Sequence, residues 1–203
     1  MVGIINYGLG NLGSIQNMLK GIGEKSIISS NPEELDKCDR YILPGVGAFD
    51  AGMKKLSESG LDVYIKEKAN KEKKPILGIC LGMQLLGRKS EEGTLSGLGL
   101  IPFDNIRFRL EDTDLKVPHM GWDIVEFKQD NPLLSGLEGT QRYYFVHSYH
   151  AQCDSMENVL MTCDYGYEFA ASVVKGNIMG VQFHPEKSHD FGMALLRNFV
   201  KEC

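Results

Sequence analysis

The feature that most constrains this chain is a rhythm in its first half. Short apolar runs alternate there with longer stretches whose apolar residues return every third or fourth position. "VGII" (2–5) has the length and composition of a buried strand, and "NLGSIQNMLKGIG" after it sets Leu12, Ile15, Leu19 and Ile22 on one helical face. "SIIS" (26–29) and "RYIL" (40–43) read as further strands, and Asn31 is placed to cap a helix that opens with Pro32. A helix over about 49–58, another running to about 69 and the strand "PILGI" (75–79) continue the series. Such alternation predicts a parallel sheet wrapped by helices.

From about residue 98 the texture changes. "LGLIPFDNIRF", "WDIVEF", "RYYFVHSYHA", "EFAASVV" and "IMGVQF" are strand-like, and "KGN" (175–177) between the last two is a hairpin turn. "FGMALLRNFV" (191–200) reads as a closing helix. The expected fold is α/β: a mainly parallel central sheet flanked by helices, with an added antiparallel portion. No repeat, low-complexity tract or linker interrupts residues 1–203, so one domain is expected.

Bulk properties narrow the function classes. Apolar residues at 42% and charged residues at 24% are the profile of a soluble globular chain. The net charge of -5 is mild, and the densest basic stretch, "KEKANKEKK" (66–74), is broken by acids, so a nucleic-acid surface is not expected. Five cysteines (38, 80, 153, 163, 203) at irregular spacing, with no CxxC pair, point to a reducing compartment. "MVGIINYG" lacks a basic leader and a long apolar core, and no apolar stretch approaches the ~20 residues that span a bilayer. The expectation is a cytoplasmic protein without membrane association.

One cysteine stands apart. In "PILGICLGMQLLG" (75–87), Cys80 sits between Gly78 and Gly82, where the apolar run gives way to a helical pattern. This is the form of a nucleophile elbow: a tight strand-to-helix turn holds the nucleophile above the sheet edge, and glycines relieve the crowding. The helix start adds N–H groups and positive potential that favour a negative sulfur. A buried structural cysteine with two incidental glycines fits the same residues. In "GVQFHPEKS" (180–188), an apolar strand ends at Phe183, and His184 and Glu186 follow around a proline. An imidazole oriented by a carboxylate is what a thiol needs as its proton partner. Two apart on an extended segment, these two side chains point to one side. A His and a Glu in a surface turn are the plainer alternative. A zinc site carries little weight, because no second His or Cys lies at ligand spacing. "LPGVGAF" (43–49) can turn backbone N–H groups toward a site as an oxyanion hole requires, or can be an ordinary Pro-Gly turn.

"GLGNLG" (8–13) has the spacing of a dinucleotide fingerprint. The acidic residue that should end the second strand is absent: the strand ends in "SS", and Glu33 and Glu34 come only inside the next helix start. His147 and His150, three apart on a strand-like run, are expected on opposite faces and make a poor metal pair. Trp122 in "PHMGW" suits core packing or an interface anchor. No metal and no cofactor is expected.

Taken together and in this order, "PGVGAF", "GICLGMQ", "KVPHMGW", "YFVHSY" and "GVQFHPEKS" resemble the class I glutamine amidotransferases. Within them, the chain is similar to the glutaminase subunits of imidazole glycerol phosphate synthases, from "NYGLGNLGS" to its last residue. The resemblance implies a triad in which Cys80 attacks the side-chain amide of L-glutamine, His184 passes the proton to departing ammonia, and Glu186 orients His184. It implies an oxyanion site made by the backbone N–H of Leu81 and one from the loop at Val46 and Gly47, a loop that rearranges before it acts. Gln84, Ser148 and Tyr149 match positions that hold the glutamine. Trp122, Asp123 and Lys187 match the face that docks a (β/α)8-barrel cyclase subunit as a heterodimer. There the ammonia joins a ribulose-phosphate nucleotide, giving imidazole glycerol phosphate and an aminoimidazole carboxamide nucleotide in histidine biosynthesis. Asn6 stands where the family usually has Asp, and Asp123 where it usually has Asn. "GSIQNMLKGIG" (13–23) also resembles a paralogous branch whose ammonia serves a surface-polysaccharide acetamidino sugar.

Overall fold

The computed structural model describes residues 1–111 and 114–203. Four parallel pairings build one half of its sheet. β1 (Val2–Ile5) lies between β2 (Ser26–Ser29) and β3 (Arg40–Gly45); β3 pairs with β4 (Ile76–Cys80), and β4 with β11 (Ile178–Val181). The remaining strands are antiparallel. β10 (Glu168–Lys175) joins β11 through the anticipated hairpin, then come β9 (Val159–Asp164), β6 (His119–Phe127) and β7 (Gln141–His147). β5 (Phe103–Arg107) and β8 (Tyr149–Cys153) form a side ribbon that touches β10. The expected α/β class, parallel sheet first and antiparallel addition after, is the one observed.

Helices cover both faces of the parallel half, and the period-2 alternation of the strands decides which core each residue enters. Ile42, Leu77 and Ile79 pack with Ile15 and Leu19 of α1 (Leu12–Gly21) and with Leu195 and Phe199 of α6 (His189–Lys201). Their neighbours Tyr41, Leu43 and Ile76 face the other way, toward α3 (Phe49–Glu58), α4 (Leu61–Asn70) and the short α5 (Leu81–Leu86). The cap at Asn31 forms as read: its side chain accepts from Glu33 N at 3.0 Å and opens a single turn, α2 (Pro32–Leu35).

Three readings need correction. The run 142–151 is not one strand; it breaks at Ser148 into β7 and β8, which pair with different partners. His147 and His150 therefore do not face opposite sides, and both rings pack on Phe108, at 5.2 and 4.7 Å between centroids. β9, "VLMTCD", carries no alternation to announce it because five of its six residues are buried. Trp122 is not core: it is 42% exposed, stacked on His189 and capped by Arg142.

Candidate active site

The C-terminal ends of β3, β4 and β11 lie side by side, with Gly45 opposite Cys80 and Val181 opposite Ile79. Open α/β sheets bind ligands at such strand ends. The chain leaves β4 through Cys80 at φ 53 and ψ -113, a backbone conformation that a side chain adopts only under constraint. The flanking glycines supply that constraint. A methyl group on Gly82 would overlap the Leu43 carbonyl oxygen, and one on Gly78 would come within 2.7 Å of the backbone of Gly82 and Met83. The strand, the turn and α5 can close together only without side chains at those two positions. The elbow read from the sequence is present.

Beyond β11 the chain runs through Gln182 and Phe183 to His184, then tightens into a 3-10 turn over Pro185–Lys187. The turn, rather than the extended segment expected from the spacing, brings Glu186 back onto His184. Glu186 Oε1 accepts from His184 Nδ1 at 2.8 Å, with both side chains 2% exposed. The same oxygen accepts from Asn11 Nδ2 at 2.9 Å. His184 Nε2 and Glu186 Oε2 are buried and have no hydrogen-bond partner among the described residues.

Burial would lower the basicity of His184, but the Cys80 sulfur beside it and the Glu186 carboxylate outweigh that and hold it up to about 10. Burial pushes the Glu186 carboxyl up, and its bonds to His184 and Asn11 bring it below the ordinary carboxylate range. Both shifts favour an imidazolium paired with a carboxylate.

Cys80 and His184 open onto a cleft of about 480 Å³ lined also by Val46, Gly47, Leu81, Gln84, Ser148 and Tyr149. Cys80, His184 and the residues expected to form the oxyanion and glutamine sites thus border one cavity, and Glu186 lies buried behind His184. A wider hollow of about 910 Å³ over 127–137 holds none of them. Gln84 is buried, and its amide nitrogen donates to Tyr149 O (3.2 Å) and to Gln182 Oε1 (3.1 Å). Val46 and Gly47 are exposed, and Gly47 has a φ of 104 that favours glycine. The docking candidates divide. Trp122 and Lys187 are at the surface, Lys187 Nζ lying 5.6 Å from the Tyr144 ring centroid. Asp123, next to Trp122 on β6, turns to the opposite face, where Oδ2 is 3.2 Å from His119 Nε2.

Sequence reading missed three participants. Asn11 supports Glu186 from 175 residues away. It lies in "GLGNLG", whose Gly10, at φ 114, packs against Pro44 of the oxyanion-loop segment. Gln182 is fully buried and points its amide nitrogen at Cys80 Sγ, 3.8 Å away. Glu92 lines the cleft and accepts from the Phe49 N–H at 2.8 Å. Of these only Asn11 carried a signal, as part of a motif assigned to another chemistry.

The sequence pattern described as "Glutamine amidotransferase class-I" matches residues 4–203. The chain is 52% identical over 203 residues to "Imidazole glycerol phosphate synthase subunit HisH 2" of Methanococcus maripaludis, covering 100% of both chains. It is 48% identical to the protein of the same name from Pseudomonas aeruginosa, covering 99% of each. Among solved structures, it superposes on "Crystal structure of glutamine amidotransferase" with a TM-score of 0.75 at 20% identity, covering 98% of this chain and 97% of that one. "Structure of PurLQS from Thermotoga maritima" gives a TM-score of 0.75 at 19% identity, covering 98% and 96%. At such identities these two speak for the fold alone.

Proposed function

The chain belongs to the class I glutamine amidotransferases, and from that premise we propose that it hydrolyses L-glutamine with Cys80, His184 and Glu186 and passes the ammonia to a partner subunit. The observation that carries this reading is the bonded His184–Glu186 pair, whose free Nε2 shares a cleft with the Cys80 elbow. Cys80 attacks the amide carbon as the thiolate, its proton being held on His184, and the oxygen takes the negative charge under the N–H of Leu81 and one from the loop at Val46 and Gly47. The C–N bond then breaks as the His184 imidazolium gives its proton to the leaving nitrogen, so ammonia departs and a γ-glutamyl thioester remains. A water attacks the thioester while His184 takes its proton; glutamate leaves and the thiolate–imidazolium pair is restored. Glu186, held by Asn11, keeps the imidazole oriented and charged. Gln84, Ser148 and Tyr149 hold the glutamine.

The partner in this reading is a (β/α)8-barrel cyclase subunit, as the relatives named for imidazole glycerol phosphate synthase suggest, and the complex works in the cytoplasm on the histidine pathway. An exposed apolar row on β6 supports a docking face: Met120, Trp122 and Ile124 are 61, 42 and 53% exposed. Lys187 flanks it, and Asp123 lies behind Trp122 on the same strand. Glutamate release by the purified chain, alone and then with a histidine-pathway cyclase and its nucleotide acceptor, tests the proposal. Strong stimulation, lost in Cys80→Ala, is expected. Labelling of Cys80 by a glutamine analogue with no stimulation would retain the glutaminase chemistry and redirect the ammonia to another acceptor, such as an acetamidino sugar.

A further inference from the structure

Behind Trp122, on the inner face of β6, a second group of chemically capable side chains meets. His119 and Asp123 share that face, and the β6–β9 register, Glu126 opposite Thr162, continued by one residue sets Cys163 opposite Val125, diagonal to Asp123. One nitrogen of His119, one carboxylate oxygen of Asp123 and the Cys163 sulfur all lie within 4.8 Å of one another. His119 and Cys163 are buried, and Asp123 reaches solvent.

Hydrogen-bond bookkeeping assigns the protons. The Tyr149 carbonyl can only accept, so His147 Nδ1 donates to it at 2.8 Å. A neutral His147 is then an acceptor at Nε2, and His119 Nδ1 must be the donor across 3.0 Å. With its proton spent on Nδ1, a neutral His119 turns a bare lone pair at Nε2 toward Asp123 Oδ2, 3.2 Å away. Two acceptors face each other, and something has to sit between them: a third proton, carried by His119 or by Asp123, or a cation.

The surroundings favour the cation. His119 is only 2% exposed, enclosed between Tyr165 at 4.1 Å and Phe145 at 4.7 Å, and such burial disfavours a charged ring. A proton has no use for the Cys163 sulfur, which a metal would take as its third ligand. The hydrogen bond from Nδ1 to an outer residue is also the arrangement that fixes a metal-binding histidine's tautomer. We propose that His119 Nε2, the Asp123 carboxylate and the Cys163 thiolate bind one divalent cation of the zinc class, with a water completing the shell on Asp123's open side. Nitrogen, oxygen and sulfur ligands suit a borderline-soft ion of tetrahedral preference. Two anionic ligands against a doubly charged ion leave the buried group neutral, and binding releases the thiol proton to solvent. Spacing along the chain conceals this set, because its members come from strands some forty residues apart. A metal there fastens β6 to β9 directly behind the exposed Trp122.

Cobalt titration of the purified, reduced chain tests it, since cobalt in a thiolate site shows a sulfur-to-metal charge-transfer band. One equivalent is expected to bind, with zinc competing it away. Cys163→Ser should abolish the band. Asp123→Asn, at a part-exposed position and close in shape to the native residue, should weaken binding by at least the roughly 10–100-fold typical of outer-shell changes. Cys80→Ala should leave the band intact, and this variant controls for cobalt captured by the Cys80–His184 pair instead. A band lost in Cys80→Ala but kept in Cys163→Ser, or no binding at all, would overturn the proposal, the latter leaving a proton on His119 or Asp123 in its place.

Discussion

Four of the five histidines are buried, and the two halves of the sheet treat them differently. In the antiparallel half, His147 and His150 each engage both ring nitrogens, His119 commits Nδ1 to His147, and the three rings surround Phe108. In the parallel half, His184 engages one nitrogen with Glu186 and leaves the other without a partner beside the cleft. Leaving a buried polar atom unpaired costs about 1–3 kcal/mol, so a fold retains such an atom where it serves something other than stability. The contrast separates a histidine built into the packing from one kept ready for a proton.

The largest effect that tests this contrast is at the elbow. Cys80→Ala removes only a sulfur atom from a site already closed by glycines, so the folded circular-dichroism spectrum should be kept while glutamate release falls at least about 10⁴-fold. Loss of that spectrum together with activity would mean that Cys80 is packing after all. Next is Glu186→Gln, which keeps the shape but removes the charge that holds the imidazolium. A fall of about 10³–10⁴-fold in kcat, with KM little changed, is expected from steady-state kinetics, as for other triads that lose their carboxylate.

The opposite result is expected across the sheet. Phe108 is 4% exposed and in ring contact with His119, His147, His150, Tyr165, Tyr167 and Phe169. Phe108→Ala should cost about 3–5 kcal/mol in urea unfolding. Activity per folded molecule should fall less than about tenfold, as for core changes outside a site. A larger loss of activity than of stability would erase the distinction between the two halves.

The two halves also differ in how far the sequence reveals them. In the parallel half each element answers a local rule. Glycines at 78 and 82 announce a turn only they permit, Asn31-Pro32 announces a cap, and the spacing of Leu12, Ile15 and Leu19 announces a buried face. In the antiparallel half the decisive relations are between strands. β9 is buried on both sides and shows no alternation, and the break at Ser148 follows from where β8 finds its partner in β5 rather than from any turn residue. The candidate site spans both kinds of information. Cys80 was legible from its neighbours, and His184 with Glu186 from their proximity. Asn11 was hidden because its contact is with a carboxylate 175 residues away, and Gln182 because it reads as one more residue of a buried strand end.

The smallest effect is also the sharpest, because it reads the charge on His184 without turnover. Its folded value, about 10, is above the ordinary 6.5, so between those limits the folded imidazole keeps a proton that the unfolded imidazole has lost. The stabilisation is complete below pH 6.5 and is lost as pH rises toward 10, with a slope of up to about 1.4 kcal/mol per pH unit. Half-buried thiols add a loss of the same sign at higher pH: Cys153 and Cys203, pushed up to about 12 and about 11, stay neutral in the fold where the unfolded chain ionises. Urea unfolding at pH 7 and 8 avoids most of that overlap. Glu186→Gln subtracts the remainder, since it keeps every thiol, Cys80 included, and removes the carboxylate that helps hold His184 up. The native chain should lose stability more steeply than the variant over that interval. Equal slopes would mean that His184 is not held as the imidazolium, and the difference between the two sets of histidines would then be one of hydrogen-bond geometry alone.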